Sequence, residues 1–144
     1  MASTTHKGYT AAIASILTTE LNSLANGSVS SASSAVDNSS ALDLFCDFTF
    51  TIATQGGSRS TGATVNVFMV QALDGTNYDD VQVTCSQLVA VFPLDAATTA
   101  RQCSVRDVPV PPGLYKLFIL NSTGQAFASS GNILEHRFHS ITTA

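Results

Sequence analysis

Leu42–Ala53 reads LDLFCDFTFTIA. Every second position is apolar: Leu42, Leu44, Cys46, Phe48, Phe50 and Ile52 share one side, and Asp43, Asp47, Thr49 and Thr51 fall on the other. Side chains of an extended chain alternate between its two faces, so a period of two over this length marks a strand with one buried face. Phe45 interrupts the polar side and is expected to be an exposed contact.

The same period continues downstream. Residues 55–62 (QGGSRSTG) are a turn rich in Gly and Ser. In 63–72, Val65, Val67 and Met69 alternate with Asn66, Phe68 and Val70, apolar enough on both faces for a central strand. Asp74-Gly75 is a tight-turn signal. Further strands are predicted over 79–84, 87–94 (with Pro93 at the end, where a missing N–H is tolerated), 98–108, 114–120, 125–128 and 132–142. Pro109, Pro111, Pro112 and Gly113 stop the run that ends at Val108. About eight short strands at this spacing indicate an antiparallel sandwich or barrel. No helix-length segment connects them, which excludes a parallel βαβ sheet. The predicted core is Leu42, Leu44, Cys46, Phe48, Phe50, Val65, Val67, Met69, Leu88, Phe92, Leu117 and Ile119.

Upstream the pattern changes. Residues 1–10 (MASTTHKGYT) are polar and unpatterned and read as a flexible arm. Ile13, Ile16, Leu17, Leu21 and Leu24 recur at helical offsets, which predicts one short helix between about residues 11 and 26. Thr10 serves as its N-cap and Gly27 as its stop. Residues 28–40, rich in Ser and Ala, form a loop with room for one edge strand. The expected organisation is therefore an arm over 1–10 and a single domain over 11–144.

Composition narrows the function. Hydrophobic residues make up 44% of the 144 residues and charged residues 11%, against about a quarter charged in an average soluble protein. A low-charge surface rich in Ser and Thr suits a protein that is packed against others. The six cations, Lys7, Arg59, Arg101, Arg106, Lys116 and Arg137, are scattered, and the net charge is −4. Nucleic-acid binding needs clustered cations to displace phosphate counterions, so neither DNA nor RNA is an expected partner. No run reaches the roughly 18 apolar residues of a membrane span. Cys46, Cys85 and Cys103 form no CxxC pair and are expected to be reduced thiols of a chain folded in a cytosol. The 11–25 segment is too polar for a signal peptide, so the sequons at Asn26, Asn38 and Asn121 carry little weight.

No catalytic constellation stands out. Nucleophilic catalysis needs Ser or Cys beside a base, and no GxSxG elbow occurs. His6 lies in the arm. His136 and His139, three apart on a strand, point to opposite faces and cannot share a metal without a bulge. They read as solvated or interface histidines. Asp43 and Asp47 share a strand face and could be a glycosidase-like pair, but Phe45, Thr49 and Thr51 around them offer nothing to hold a sugar, so a solvent face is the better reading. DGTNYDD (74–80) lacks the spacing and the bidentate Glu of a calcium loop and reads as a turn. Glycan-binding modules stack sugars on exposed aromatics; this chain has no Trp and only Tyr9, Tyr78 and Tyr115. No catalytic residue, metal ligand or cofactor is predicted.

Three stretches resemble a known family. ILTTELNSLANGS (16–28), VFMVQALDGTNYDD (67–80) and PPGLYKLFILNSTG (111–124), the last followed by NILEHRF (132–138), are similar to the cement or decoration proteins that stud the capsids of tailed bacteriophages. The resemblance implies a jelly-roll-type β-sandwich, self-association as a dimer or trimer, and docking across major capsid protein subunits on the outer surface of a virion assembled in the host cytoplasm. It implies no catalysis. The competing expectations are a phage tail or fibre accessory, a glycan-binding jelly roll, and a small enzyme-like jelly roll, which a His-rich metal pocket inside the sandwich would favour.

Overall fold

The computed structural model describes residues 5–143. They form nine strands: β1 (Thr5–Tyr9), β2 (Ala14–Leu17), β3 (Val36–Asp37), β4 (Phe45–Ile52), β5 (Thr64–Ala72), β6 (Gln87–Pro93), β7 (Arg101–Pro109), β8 (Leu114–Ser122) and β9 (Ile133–Thr143). One sheet is ordered β2–β9–β4–β7, with β1 extending the same edge of β9; the other is ordered β3–β8–β5–β6. Every pairing is antiparallel. The pairs β5/β6, β4/β7, β3/β8 and β2/β9 are nested one inside the next along the chain, and successive pairs fall in alternate sheets. Four nested pairs wrapped into two sheets make a jelly roll.

The period of two in β4 is what builds its core face. Cys46, Phe48, Phe50 and Ile52 are fully buried, opposite Val65, Val67 and Met69 of β5 and Tyr115, Leu117 and Ile119 of β8. Each large side chain of this layer contributes about 1.5–3 kcal/mol by leaving water. As expected for a strand apolar on both faces, β5 lies inside its sheet, between β8 and β6. Its outward Phe68 and Val70 form a second cluster with Phe118, and Tyr78 from the long β5–β6 connection packs on it. Phe68 and Phe118 stack at 5.4 Å.

Residues 28–37 run along the outer edge of β8 in an unusual way. Ser30 N–H and Ser33 N–H donate to the carbonyls of Ile119 and Leu117, both at 2.8 Å. In return the N–H groups of Ile119 and Leu117 donate to the hydroxyl oxygens of Ser30 and Ser33, both at 3.0 Å. Each hydroxyl then donates to the carbonyl of the following serine. The two side chains stand in for backbone acceptors where the chain is too kinked to supply them, and both are buried. Elsewhere Arg59, 2% exposed, pins two loops by donating to Gln55 Oε1, the Thr99 carbonyl and Asp95.

Four expectations need correction. The helix between about 11 and 26 does not form: Ala14–Leu17 is strand β2, and only Thr19–Leu21 makes a single 3₁₀ turn. The unpaired edge of β9 offers Ala14–Leu17 backbone partners, and β-branched Ile13, Ile16, Thr18 and Thr19 favour extension over helix. Leu17 and Leu21 still reach the core, so the apolar positions were sound and their period was misleading. Thr5–Tyr9, read as arm, pairs with the end of β9, while residues 1–4 of that arm lie outside the described residues. Leu42, Leu44 and Leu88 are 55%, 49% and 51% exposed rather than core. For Leu42 and Leu44 the alternation runs past the strand: Leu42 has φ 50, and the buried Asn38 amide holds the turn by donating to the Asp43 carbonyl and accepting the Asp43 N–H. Leu88 lies in β6, where the register against β5 shifts between Val67 and Phe68. Residues 79–84 and 125–128 are not strands.

Candidate functional site

Charge is concentrated on the outer face of the β9–β4–β7 region. Asp47 of β4 faces outward between two buried neighbours. Opposite it β7 carries a bulge: Cys46 pairs with Val108 but Phe48 pairs with Val105, so Arg106 and Asp107 together oppose Asp47. Asp107 has φ 57, a left-handed conformation that Asp and Asn accept more readily than other side chains. The bulge turns the Asp107 N–H onto Asp47 Oδ1 at 2.9 Å. From the other side, β9 places His139 in register with Phe45 and Tyr9.

These side chains converge. His139 Nε2 lies 3.1 Å from Asp47 Oδ1 and 3.2 Å from Asp107 Oδ1. The Tyr9 hydroxyl donates to Asp47 Oδ2 at 3.1 Å, and Lys7 Nζ sits 2.8 Å from Asp107 Oδ2. The imidazole stacks on Phe45 at 5.4 Å and meets the Tyr9 ring edge-on at 5.9 Å. Arg137 covers the Tyr9 ring at 3.7 Å and donates Nε–H to the Ala11 carbonyl. Lys7, Tyr9, Asp47, Arg106, Asp107 and His139 line an open groove. Three of the six cations of the chain, Lys7, Arg106 and Arg137, border it or the adjoining groove.

The electrostatics follow from these contacts. Burial alone would raise the Asp47 pKa, but the Asp107 N–H, the Tyr9 hydroxyl and His139 outweigh it and hold the carboxyl below its ordinary value. Asp47 therefore stays ionised and anchors the cluster. His139 Nδ1 is buried without a partner among the described residues. Asp47, Asp107 and His139 each present one potential ligand atom, all within 4.8 Å of one another.

The residues singled out from sequence scatter. His136 and His139 do point to opposite faces: His136 lies beside Phe138 at 4.9 Å, and burial lowers its pKa. Of the two expectations for the histidines, solvated or at an interface, the solvated one fails for His139, which is 4% exposed because Phe45 and Tyr9 enclose it. Asp43 is not on the Asp47 face; it precedes β4 and is buried. Asp74 caps its own turn, accepting from the Thr76 and Asn77 N–H groups, which lowers its pKa to about 2. Tyr78 packs under Lys116 and Tyr115 is wholly buried. Lys7, Tyr9, Arg106 and Asp107 were not anticipated. The clue for Asp107 was a charged pair inside an otherwise alternating strand, the mark of a bulge. No protein-family model matches the sequence, and no curated protein matches it either.

Proposed function

We propose that this chain is a structural virion protein that decorates and stabilises a phage capsid, binding major capsid protein subunits and associating with itself. The observation that carries this reading is a surface left apolar where a free protein would be charged. Leu73 is 99% exposed, and Leu42, Leu44, Ile13 and Leu88 are about half exposed, on a chain with 11% charged residues. Edge strand β6 (QLVAVFP) carries no charge at all. Unprotected edges and apolar patches are liabilities unless something covers them. Jelly rolls serve as viral capsid domains and also as lectins. Against the lectin reading, the exposed aromatic Tyr9 already has Arg137 on its ring, which occupies a stacking face that a sugar would use.

Mass spectrometry of particles purified from the encoding phage tests the proposal. The chain is expected in fixed ratio to the major capsid protein, and capsids stripped of it should rebind it and gain heat resistance. Absence from purified particles, or a ratio that varies between preparations, would overturn it. Location on tails alone would favour the fibre-accessory reading.

A further inference from the structure

The convergence on His139 has a consequence that does not depend on the capsid reading. Nε2 carries at most one hydrogen, yet two carboxylate oxygens stand 3.1 and 3.2 Å from it. One N–H cannot be well aligned with both, and Asp47 Oδ1 already accepts the Asp107 N–H at 2.9 Å. The two separations from Nε2 also suit another arrangement, since with metal–ligand bonds of ~2.0–2.1 Å neighbouring donor atoms lie ~3.0–3.4 Å apart, and all three donors fall within 4.8 Å of one another. The three donors come from adjacent strands β9, β4 and β7, so the sheet itself sets their spacing. The outer carboxylate oxygens are already engaged, by Tyr9 on Asp47 and by Lys7 on Asp107. Such outer contacts orient ligating groups, and Asp47 Oδ1, which accepts the Asp107 N–H, keeps a second lone pair for a shared centre with Asp107 Oδ1. The His139 side chain is 5% exposed and clamped by two rings, and its Nδ1 has no hydrogen-bond partner among the described residues.

We propose that Asp47, Asp107 and His139 bind one first-row divalent transition-metal ion, represented by zinc, through Nε2 and one Oδ1 of each carboxylate. Water from the open groove completes the coordination. An imidazole among carboxylates selects such an ion over calcium or magnesium, which prefer all-oxygen sets. Loading leaves the ring hydrogen on Nδ1, which has no acceptor among the described residues, and the Lys7 charge opposes the cation. Affinity is therefore modest, and the site braces three strands rather than forming the fold.

Calorimetric titration of chelator-treated full-length protein with zinc chloride, and absorption spectroscopy with cobalt chloride, test the site. One ion per chain is expected, with a melting temperature raised by roughly 5–10 °C at zinc about a hundredfold above its Kd. Asp107→Asn should bind about tenfold more weakly or worse. Its side chain is 53% exposed and Asn tolerates a φ of 57, so the variant should fold, as its metal-free melting temperature will report. A Cys85→Ser/Cys103→Ser double variant removes the accessible thiols that would compete for zinc and should bind like the parent. No binding, equal binding by Asp107→Asn, or loss of binding in the cysteine variant would each overturn the proposal.

Discussion

His136 shows how one side chain sets a pH dependence. It sits on the inner side of β9 near Phe138, and burial disfavours its charged form, lowering its pKa. The unfolded chain, with an ordinary histidine pKa of about 6.5, then binds more protons than the fold in the window just below that value. Its contribution to stability is full above about pH 6.5 and is lost as pH falls toward the depressed folded pKa. His136→Gln should therefore lose less stability than the parent between about pH 7 and 5 in urea melts. Equal losses would show that the imidazole is solvated in the fold. Asp47 acts in the same direction at more acid pH, because its carboxyl is held below its ordinary pKa and must be protonated for its contacts to fail.

At the scale of elements, the edge made by residues 28–37 invites a direct test. Ser30→Ala or Ser33→Ala removes the acceptor of a buried N–H on β8. An unsatisfied buried donor costs about 1–3 kcal/mol, so each variant should lower the urea midpoint accordingly, with an unchanged m-value. A loss within error would mean that water replaces the hydroxyl. This segment also shows why part of the fold was legible and part was not. Period two spoke clearly in β4, β5 and β8, where burial on one or both faces chooses the residues. A Ser/Ala run carries no periodicity, so an edge held by hydroxyls looked like a loop. Ile13 to Leu24 carried the wrong period, because the partner that makes Ala14–Leu17 a strand is β9, more than a hundred residues away in sequence. The candidate site was illegible for a related reason. Asp47, Asp107 and His139 meet only through strand register, which a single strand sequence does not encode, and through a bulge whose one sequence mark is the Arg106-Asp107 pair.

The whole molecule is a set of nested pairs, and nesting dictates an order in time. The innermost pair, β5 with β6, closes over residues 73–86 alone, whereas β2 with β9 must bring together the two ends of the described chain. Closing a longer loop costs more entropy, though only as the logarithm of its length, so each pair formed shortens the search for the next. Folding is thus expected to start at β5–β6, spread through β8 and β4, and finish as β9 receives β2 and β1. Stopped-flow refolding would read this directly. Val67→Ala in β5 should mainly slow folding, while Leu134→Ala in β9 should mainly speed unfolding. The reverse pattern would place the nucleus at the outer pair. In kinetic terms the charged cluster around His139 is then a latch: assembled last, it decides how long the finished roll takes to reopen, and much less how fast it forms.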